Sequence, residues 1–231
     1  MLAVVPVLRS NRARARWLSR PGRRSGVIAA ALVVGLGGPI AGFGSSSSAA
    51  QRPGAPGSLP QTSQLPSSRS RTFGAEMRAL WRGVRLNSTR AALPAFFPEG
   101  AYRQLKAIYN ANGDWVSRLV GDYALDLAAA HRLLGRGAAR DRLLWVEVPR
   151  GYAHWVPPGV CYNRVGYWET PNSRLVYRAG TRTRSFGIAS MISWRGVWYV
   201  VHLGAILRPG SGGVVDDPSL GVGTALPSGT C

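Results

Sequence analysis

The chain is poor in lysine, in acidic residues and in histidine. Lys106 is its only lysine, since 28 of its 29 basic residues are arginine, and ten acidic residues leave a formal net charge of +19. Nucleic acid, anionic lipid and acidic polymers all bind basic surfaces. The arginines, however, form no run of five and do not alternate with aromatic residues as in single-strand binding proteins. Nucleic acid is therefore disfavoured, and anionic wall polymer or lipid is the charged partner that we retain.

Residues that carry catalytic and metal chemistry are also scarce. Three histidines and two cysteines form no HExxH motif and no cluster with zinc-ligand spacing. The only adjacent acids, Asp216 and Asp217, stand in a glycine-rich stretch and do not make a calcium loop. Phosphate loops and dinucleotide-binding glycine patterns are missing as well. We therefore expect no metal and no cofactor, and the sequence favours a binding function over an enzymatic one.

The two cysteines, Cys161 and Cys231, are the candidates for a disulfide. Outside the cytoplasm such a pair is typically oxidised. Closing a loop of about 70 residues would stabilise the fold by roughly 4 kcal/mol in the chain-entropy model. The alternative is a pair of unrelated thiols, which would leave a free thiol at the last residue. We predict the bridge.

A basic arm and an apolar run open the chain. Seven arginines and no acid precede the run Gly26–Phe43, as in export signals. The run has 18 residues, between the length of a cleaved signal core and that of a spanning helix. Ser48-Ala49-Ala50 offers a cleavage site before Gln51, whereas the long arm favours an uncleaved single-pass anchor. Residues 1–50 thus predict a signal or anchor helix, with the rest of the chain outside the membrane, tethered or secreted.

Composition divides the remainder into three parts. Residues 51–71 are rich in Ser, Pro, Gly and Gln and predict a flexible linker. Residues 209–231 return to Gly, Pro and Ser and predict a tail. Between them, residues 72–208 have the length and the apolar content of one globular domain.

Along this domain the spacing of apolar residues changes from a helical to a strand period. Apolar residues of 77–84 fall on one helix face after an N-cap at Thr72, and a second helix is expected over 99–110. Asp114 caps a third helix that Gly135 ends. Strand signals follow, the last two joined by Arg195-Gly196 as a hairpin; they cover 144–148, 160–169, 174–178, 184–194 and 197–207.

Helices followed by strands predict an α+β fold. We expect three N-terminal helices packed on a curved antiparallel sheet of about five strands, as a cone with a pocket between helices and sheet.

The segment SWRGVWYVVHL (193–203) resembles the closing hairpin of the cystatin-like, nuclear-transport-factor-2-like superfamily. Three longer segments, AFFPEGAYRQLK (95–106), WVPPGVCYNRVGYWE (155–169) and SFGIASMISWRGVWYVVHLG (185–204), resemble uncharacterised exported proteins of actinobacteria. The resemblance covers about residues 73–208 and departs from the superfamily in lacking a strand between the second and third helices. It implies a cone-shaped domain, which in the superfamily serves isomerases, dehydratases and non-catalytic partners of membrane assemblies alike. The fold alone therefore does not indicate the function.

The candidate ligand-binding residues lie on the third helix and on the last strand of the hairpin. Asp126 faces the expected cone, where it is a candidate general base, and Tyr123 lies on the same stripe. The alternative for the helix acids is solvation, with Arg118 pairing Asp122 at i, i+4. His202 shares a strand face with Trp198 and is a candidate for titration near neutrality, or else a satisfied core histidine.

Two functions follow from these observations. The first is a non-catalytic binding or accessory domain of an exported or membrane-anchored envelope protein, which contacts an envelope or membrane protein. The second is a small-molecule carrier, or a lyase or isomerase, that uses the pocket with Asp126 and His202.

Overall fold

The order of elements along the chain gives an α+β fold. The computed structural model describes residues 60–208 and 210–225, so the signal or anchor helix predicted over residues 1–50 lies outside the described residues. Within them, helices come first and strands follow, and the strands form one open antiparallel sheet of six members. The predicted fold class is therefore confirmed, with six strands where about five were expected.

The first helix, α1 (Arg71–Leu86), is amphipathic as predicted. Its N-cap is Ser70, whose Oγ accepts the backbone N–H of Phe73 at 3.1 Å, rather than Thr72. The predicted apolar stripe is at most 5% exposed and consists of Met77, Leu80, Trp81 and Val84. Each such side chain contributes about 1.5–3 kcal/mol when fully buried, so this stripe anchors the helix to the core.

Two short elements join α1 to the second predicted helix. They are α2 (Thr89–Ala92) and a 3-10 turn (Leu93–Ala95). The helix that follows, α3 (Glu99–Leu105), is shorter than predicted and does not reach Asn110. Lys106 ends it, because its backbone is extended (ψ 135°) and pairs in an isolated bridge with the loop before the third strand.

The third predicted helix begins earlier and contains a π-helical segment. Asn110 is its N-cap and its side chain accepts a backbone N–H of the first turn at 2.9 Å, so the predicted cap Asp114 is internal. Gly135 ends the helix in a positive-φ conformation (57°), as predicted. The parts are α4 (Ala111–Asp114), the π segment (Trp115–Leu119) and α5 (Val120–Leu134). None of the helices in residues 60–208 and 210–225 is long and apolar enough to cross a membrane.

The sheet is built on one long central hairpin. β3 and β4 pair along most of their length, β1 and β2 both pair with β3, and β5 and β6 both pair with β4. All pairings are antiparallel. The strands are β1 (Arg142–Glu147), β2 (His154–Val156), β3 (Tyr167–Ala179), β4 (Arg182–Trp194), β5 (Val197–His202) and β6 (Asp216–Leu220).

The predicted hairpin at Arg195-Gly196 is confirmed. Both residues have positive φ (48° and 83°), which suits the twist of a two-residue β-turn. The strand predicted over 160–169 is wrong in its first half, because Val160–Tyr162 forms a 3-10 turn that contains the left-handed residue Cys161 (φ 51°). Residues 174–178 are a part of β3 and not a separate strand.

One hydrophobic core lies between the helices and the sheet. Leu80 of α1 and Leu127 of α5 are fully buried together with Val200 of β5. Phe97 bonds by its N–H to the Val200 carbonyl at 2.9 Å, which ties the segment after α2 to the open edge of β5. The helical layer and the sheet are thus joined by packing and by backbone hydrogen bonds.

Both predicted domain boundaries shift outward. The segment before α1, assigned to the flexible linker, contacts the sheet, because the Trp198 indole N–H donates to the Pro66 carbonyl at 3.0 Å. Residues assigned to the tail form β6, which pairs with the first half of β4. A buried indole donor needs an acceptor, so residues near Pro66 belong to the domain.

The contacts of Gln61 give a test of this boundary. Its side chain accepts the Arg195 backbone N–H at 2.6 Å and donates to the Gly166 carbonyl at 3.0 Å. Since each such bond contributes about 0.5–1.5 kcal/mol, Gln61→Ala should lower the free energy of unfolding by about 1–2 kcal/mol in urea denaturation. The exposed Gln64, in the Gln64→Ala variant, is the matched control and should change little. Equal effects of the two variants would contradict the boundary.

Candidate functional site

A cavity of about 570 Å³ lies between the helical layer and the sheet. Residues from α3, the π segment, β3, β4, β5, β6 and the turn after β5 line it. Its volume is typical of small-molecule sites, which range over roughly 300–1,000 Å³. Much of the wall is apolar and is formed by Leu119, Tyr167, Ile192, Val201, Ile206 and Leu207.

Glu169 is the more deeply buried of the two acids that line this cavity, the other being Asp216. Glu169 lies two residues after Tyr167 on β3, so strand alternation places both side chains on the face toward the helices. The residue is 4% exposed, and its Oε1 accepts the Ser190 hydroxyl at 2.8 Å. Its Oε2 is buried without a hydrogen-bond partner among the described residues, and His154 Nε2 is 3.8 Å away. A buried carboxylate oxygen without a hydrogen-bond partner favours a ligand that donates a hydrogen bond to it.

Lys106 supplies the positive charge near Glu169. Its Nζ donates to the Cys161 carbonyl at 2.9 Å, which holds the ammonium group at the wall. Burial lowers the pKa of Lys106, and the negative charge of Glu169 opposes that change. Cys161 itself is disulfide-bonded, and its predicted partner Cys231 lies outside the described residues.

A charged cluster of Tyr102, Asp114 and Arg118 stands beside Lys106. The Arg118 Nε and Nη2 atoms donate to the two Asp114 oxygens at 2.7 and 2.6 Å, and the Tyr102 hydroxyl donates to Asp114 as well. The bond from Arg118 lowers the pKa of Asp114, while burial and then Asp114 raise the pKa of Tyr102. The alternative interpretation of the helix acids paired Arg118 with Asp122; Arg118 instead bonds to Asp114, four residues before it.

His202 is the one predicted site residue among those that line the large cavity. Its partner on the neighbouring strand β4 is Ser190. Burial, followed by the positive charges of Arg118 and Arg208, lowers the pKa of His202 to about 4. This favours a neutral imidazole near neutral pH and the alternative of a satisfied core histidine.

Asp126 has a structural environment that the sequence did not reveal. Its buried carboxylate accepts four hydrogen bonds: two from Arg208 at 2.8 Å each, one from Gly204 N at 2.9 Å and one from Val214 N at 3.0 Å. A carboxylate offers about four acceptor positions, so no position remains for a substrate proton. Gly204 is required here, because a Cβ would lie 2.0 Å from the Val214 carbonyl and 2.7 Å from Asp126 Oδ1.

Tyr123 and Trp198 are core residues and do not line the large cavity. The Tyr123 hydroxyl donates to the Ala92 carbonyl at 3.2 Å, and its ring stacks on Phe96 with centroids 4.4 Å apart. Trp198 is 1% exposed and donates to Pro66 as described above. Of the four predicted residues, only His202 is thus placed to contact a ligand in this cavity.

Glu76 marks a second and shallower cavity of about 450 Å³ beside α1. Burial raises the pKa of Glu76 to about 8, and a hydrogen bond with Tyr199 opposes the rise. Glu76 was not among the site residues predicted from the sequence. Its position directly before the apolar residue Met77 was the only sign that it lies near the buried face.

Comparison with family models, with curated proteins and with solved structures finds no match to this chain. A function can therefore be proposed only from the sequence and from the geometry of the cavity.

The contacts of Asp126 predict a large stability effect at one of two neighbouring acids. Asp126→Asn should lower the free energy of unfolding by about 3 kcal/mol in urea denaturation, since it leaves the buried Arg208 guanidinium without its carboxylate. Asp122 is the matched control, because its closest contact with Arg208 is 3.9 Å long, and Asp122→Asn should cost less than about 1 kcal/mol. A tolerated Asp126→Asn variant would overturn the structural role.

Proposed function

We propose that this protein is an exported envelope protein whose α+β domain binds a small amphiphilic molecule in the large cavity. Export rests on the basic arm and apolar run at the start of the sequence. The resemblance to the cystatin-like superfamily agrees with a cavity between helices and sheet. Membership of that superfamily remains part of the proposal. An envelope protein partner, with the domain as an accessory part, also stays a prediction.

The observation that carries the proposal is the buried Glu169, whose Oε2 has no hydrogen-bond partner among the described residues, in a cavity with a largely apolar wall. An unpaired buried carboxylate oxygen costs about 1–3 kcal/mol or more. A ligand that donates a hydrogen bond to Oε2 removes this cost when it binds. The apolar side chains around it, Ile192 and Val201 among them, would cover the hydrophobic part of the same ligand.

Binding is better supported than acid–base catalysis. The predicted base Asp126 has all its acceptor positions filled by Arg208 and backbone N–H groups. Its predicted companion His202 has a pKa lowered to about 4, chiefly by burial, which favours a neutral imidazole near neutral pH. The pair proposed from the sequence for a lyase or isomerase is therefore not assembled in a reactive form.

A cavity-filling variant tests the proposal. Ala205 lines the cavity in the turn after β5, where a larger side chain would enter the cavity without disturbing a strand. We would screen small amphiphiles with amine or hydroxyl ends by protein-observed NMR. At least one should shift the backbone amides of Ser190 and Ile192 in the unmodified protein, and Ala205→Trp should abolish the shifts at an unchanged melting temperature.

Two further variants sharpen the result. Glu169→Gln should weaken ligands with a donating end by about tenfold, which corresponds to about 1.4 kcal/mol for one hydrogen bond to a charged acceptor. Glu147→Gln, on the exposed side of β1, is the control and should leave binding unchanged. The proposal fails if no compound binds, or if compounds bind equally well to the Ala205→Trp protein.

A further inference from the structure

Strand register brings arginines together at the end of the sheet remote from the cavity. Arg142 of β1 pairs with Arg178 of β3, and Arg178 pairs with Thr183 of β4. Arg182 and Arg184 stand at the same end of β4. Since paired residues on neighbouring strands are about 5 Å apart, four arginines lie within the width of three strands. Arg142 and Arg178 lie on one face of the sheet, and Arg182 and Arg184 lie on the other.

The helices add arginines to the same end. The Arg85 guanidinium at the end of α1 donates to the carbonyls of Ala138 and Ala139, directly before β1. The buried Asp141 interacts electrostatically with Arg85, Arg140 and Arg184, so these arginines from a helix, a loop and a strand are neighbours. We call this surface the basic end and define it by Arg132, Arg136, Arg142, Arg178, Arg182 and Arg184.

Negative charge that could neutralise the basic end is nearly absent. The sequence segments that form it contain one acid, Asp141, and that residue is 3% exposed; the segments are 78–86, 131–146, 177–185 and 218–222. Arg132 near the end of α5 complements the helix dipole, but the strand arginines have no such role. The concentration of exposed positive charge therefore requires a partner or solvent to balance it.

Exposed leucines accompany these arginines. Leu86 at the end of α1 is 63% exposed, Leu133 beside Arg132 is 37% exposed, and Leu220 is 78% exposed. Leu220 pairs directly with Arg184. A soluble anionic polymer would need only the charge, whereas arginine mixed with exposed leucine suits the headgroup region of an anionic bilayer.

We propose that the basic end is a docking surface for a membrane that contains anionic lipid. Arginines of β1, β3 and β4 contact the headgroups, and Leu86, Leu133 and Leu220 enter the interface between headgroups and acyl chains. This surface is separate from the cavity and does not depend on the proposed ligand.

Position-specific fluorescence quenching tests the docking in the full-length chain, whose apolar run could by itself hold the protein on any vesicle. A bimane label is attached to the Leu220→Cys variant, and to Leu207→Cys as the control, since Leu207 is 89% exposed but lies at the cavity. Vesicles of phosphatidylcholine, or of equal parts phosphatidylcholine and phosphatidylglycerol, carry a spin-labelled quencher lipid. We expect quenching at Leu220 only with phosphatidylglycerol, and none at Leu207.

Two triple variants with the same net charge separate the basic end from the total charge. The first variant neutralises three arginines of the basic end and is Arg142→Gln/Arg178→Gln/Arg182→Gln. It should lower the ratio of docked to undocked domain by about a hundredfold, since each arginine contributes about fivefold. The control variant neutralises three exposed arginines at the cavity end and is Arg103→Gln/Arg150→Gln/Arg164→Gln. It should dock normally. Melting temperatures of both variants should match that of the unmodified chain.

Three results would overturn the proposal. One is an unquenched label at Leu220 on phosphatidylglycerol vesicles. Another is equal quenching at Leu220 and Leu207, which would show that the anchor alone places the domain at the surface. The third is an equal loss in the two triple variants. If vesicles do not quench the label at position 220 but soluble polyphosphate shields that label from solvent, the basic end binds polymer and not membrane.

Discussion

The buried ion pair between Asp126 and Arg208 is the interaction on which the shape of the cavity depends. Asp126 lies on α5, whereas its donors Gly204, Arg208 and Val214 belong to the chain after β5. Four hydrogen bonds on one carboxylate therefore fix the turn that follows the last strand of the hairpin against the helical layer. Residues 205–207 of that turn line the cavity. A carboxylate first considered for chemistry is thus the group that positions a wall of the site.

The central hairpin separates the two functional surfaces that we propose. Glu169 lies near the start of β3 and Arg178 near its end, so at about 3.3 Å for each residue the two are about 30 Å apart along the strand. The cavity end contains a buried acid and an apolar wall. The opposite end contains exposed arginine and leucine. With the basic end on a membrane, the cavity would lie on the side of the domain away from the bilayer, where a solute could enter it.

Local signals in the sequence predicted part of this structure. The stripe of α1 and the hairpin at Arg195-Gly196 are visible because helix periodicity and turn residues act over a few positions. The π segment before α5 has no comparable signal, so Asp114 was taken for a cap. β6 contains two aspartates and a proline, which disfavour a strand, and it pairs only because β4 offers its edge.

The site was harder to predict than the fold, because its decisive contacts join residues far apart in sequence. Arg208 follows Asp126 by 82 residues, and no pattern in the sequence connects them. Glu169 follows two aromatic residues, Tyr167 and Trp168, on a strand whose pairing decides which face is buried. His202 was a candidate for the cavity from its place on the last strand, but the pairing of β4 with β5 is irregular there and Val201 lines the cavity as well. The lowered pKa of His202 depends on burial and then on Arg118 and Arg208, which the fold brings near.

Native mass spectrometry of the protein purified from its host without reductant is the most direct test of the central claim, which is that the cavity holds a small molecule. The account predicts one additional mass, of a single small organic molecule, that is lost when the protein is denatured and is missing from the Ala205→Trp variant. Identical native and denatured masses for the unmodified protein, or an additional mass that persists in Ala205→Trp, would contradict it.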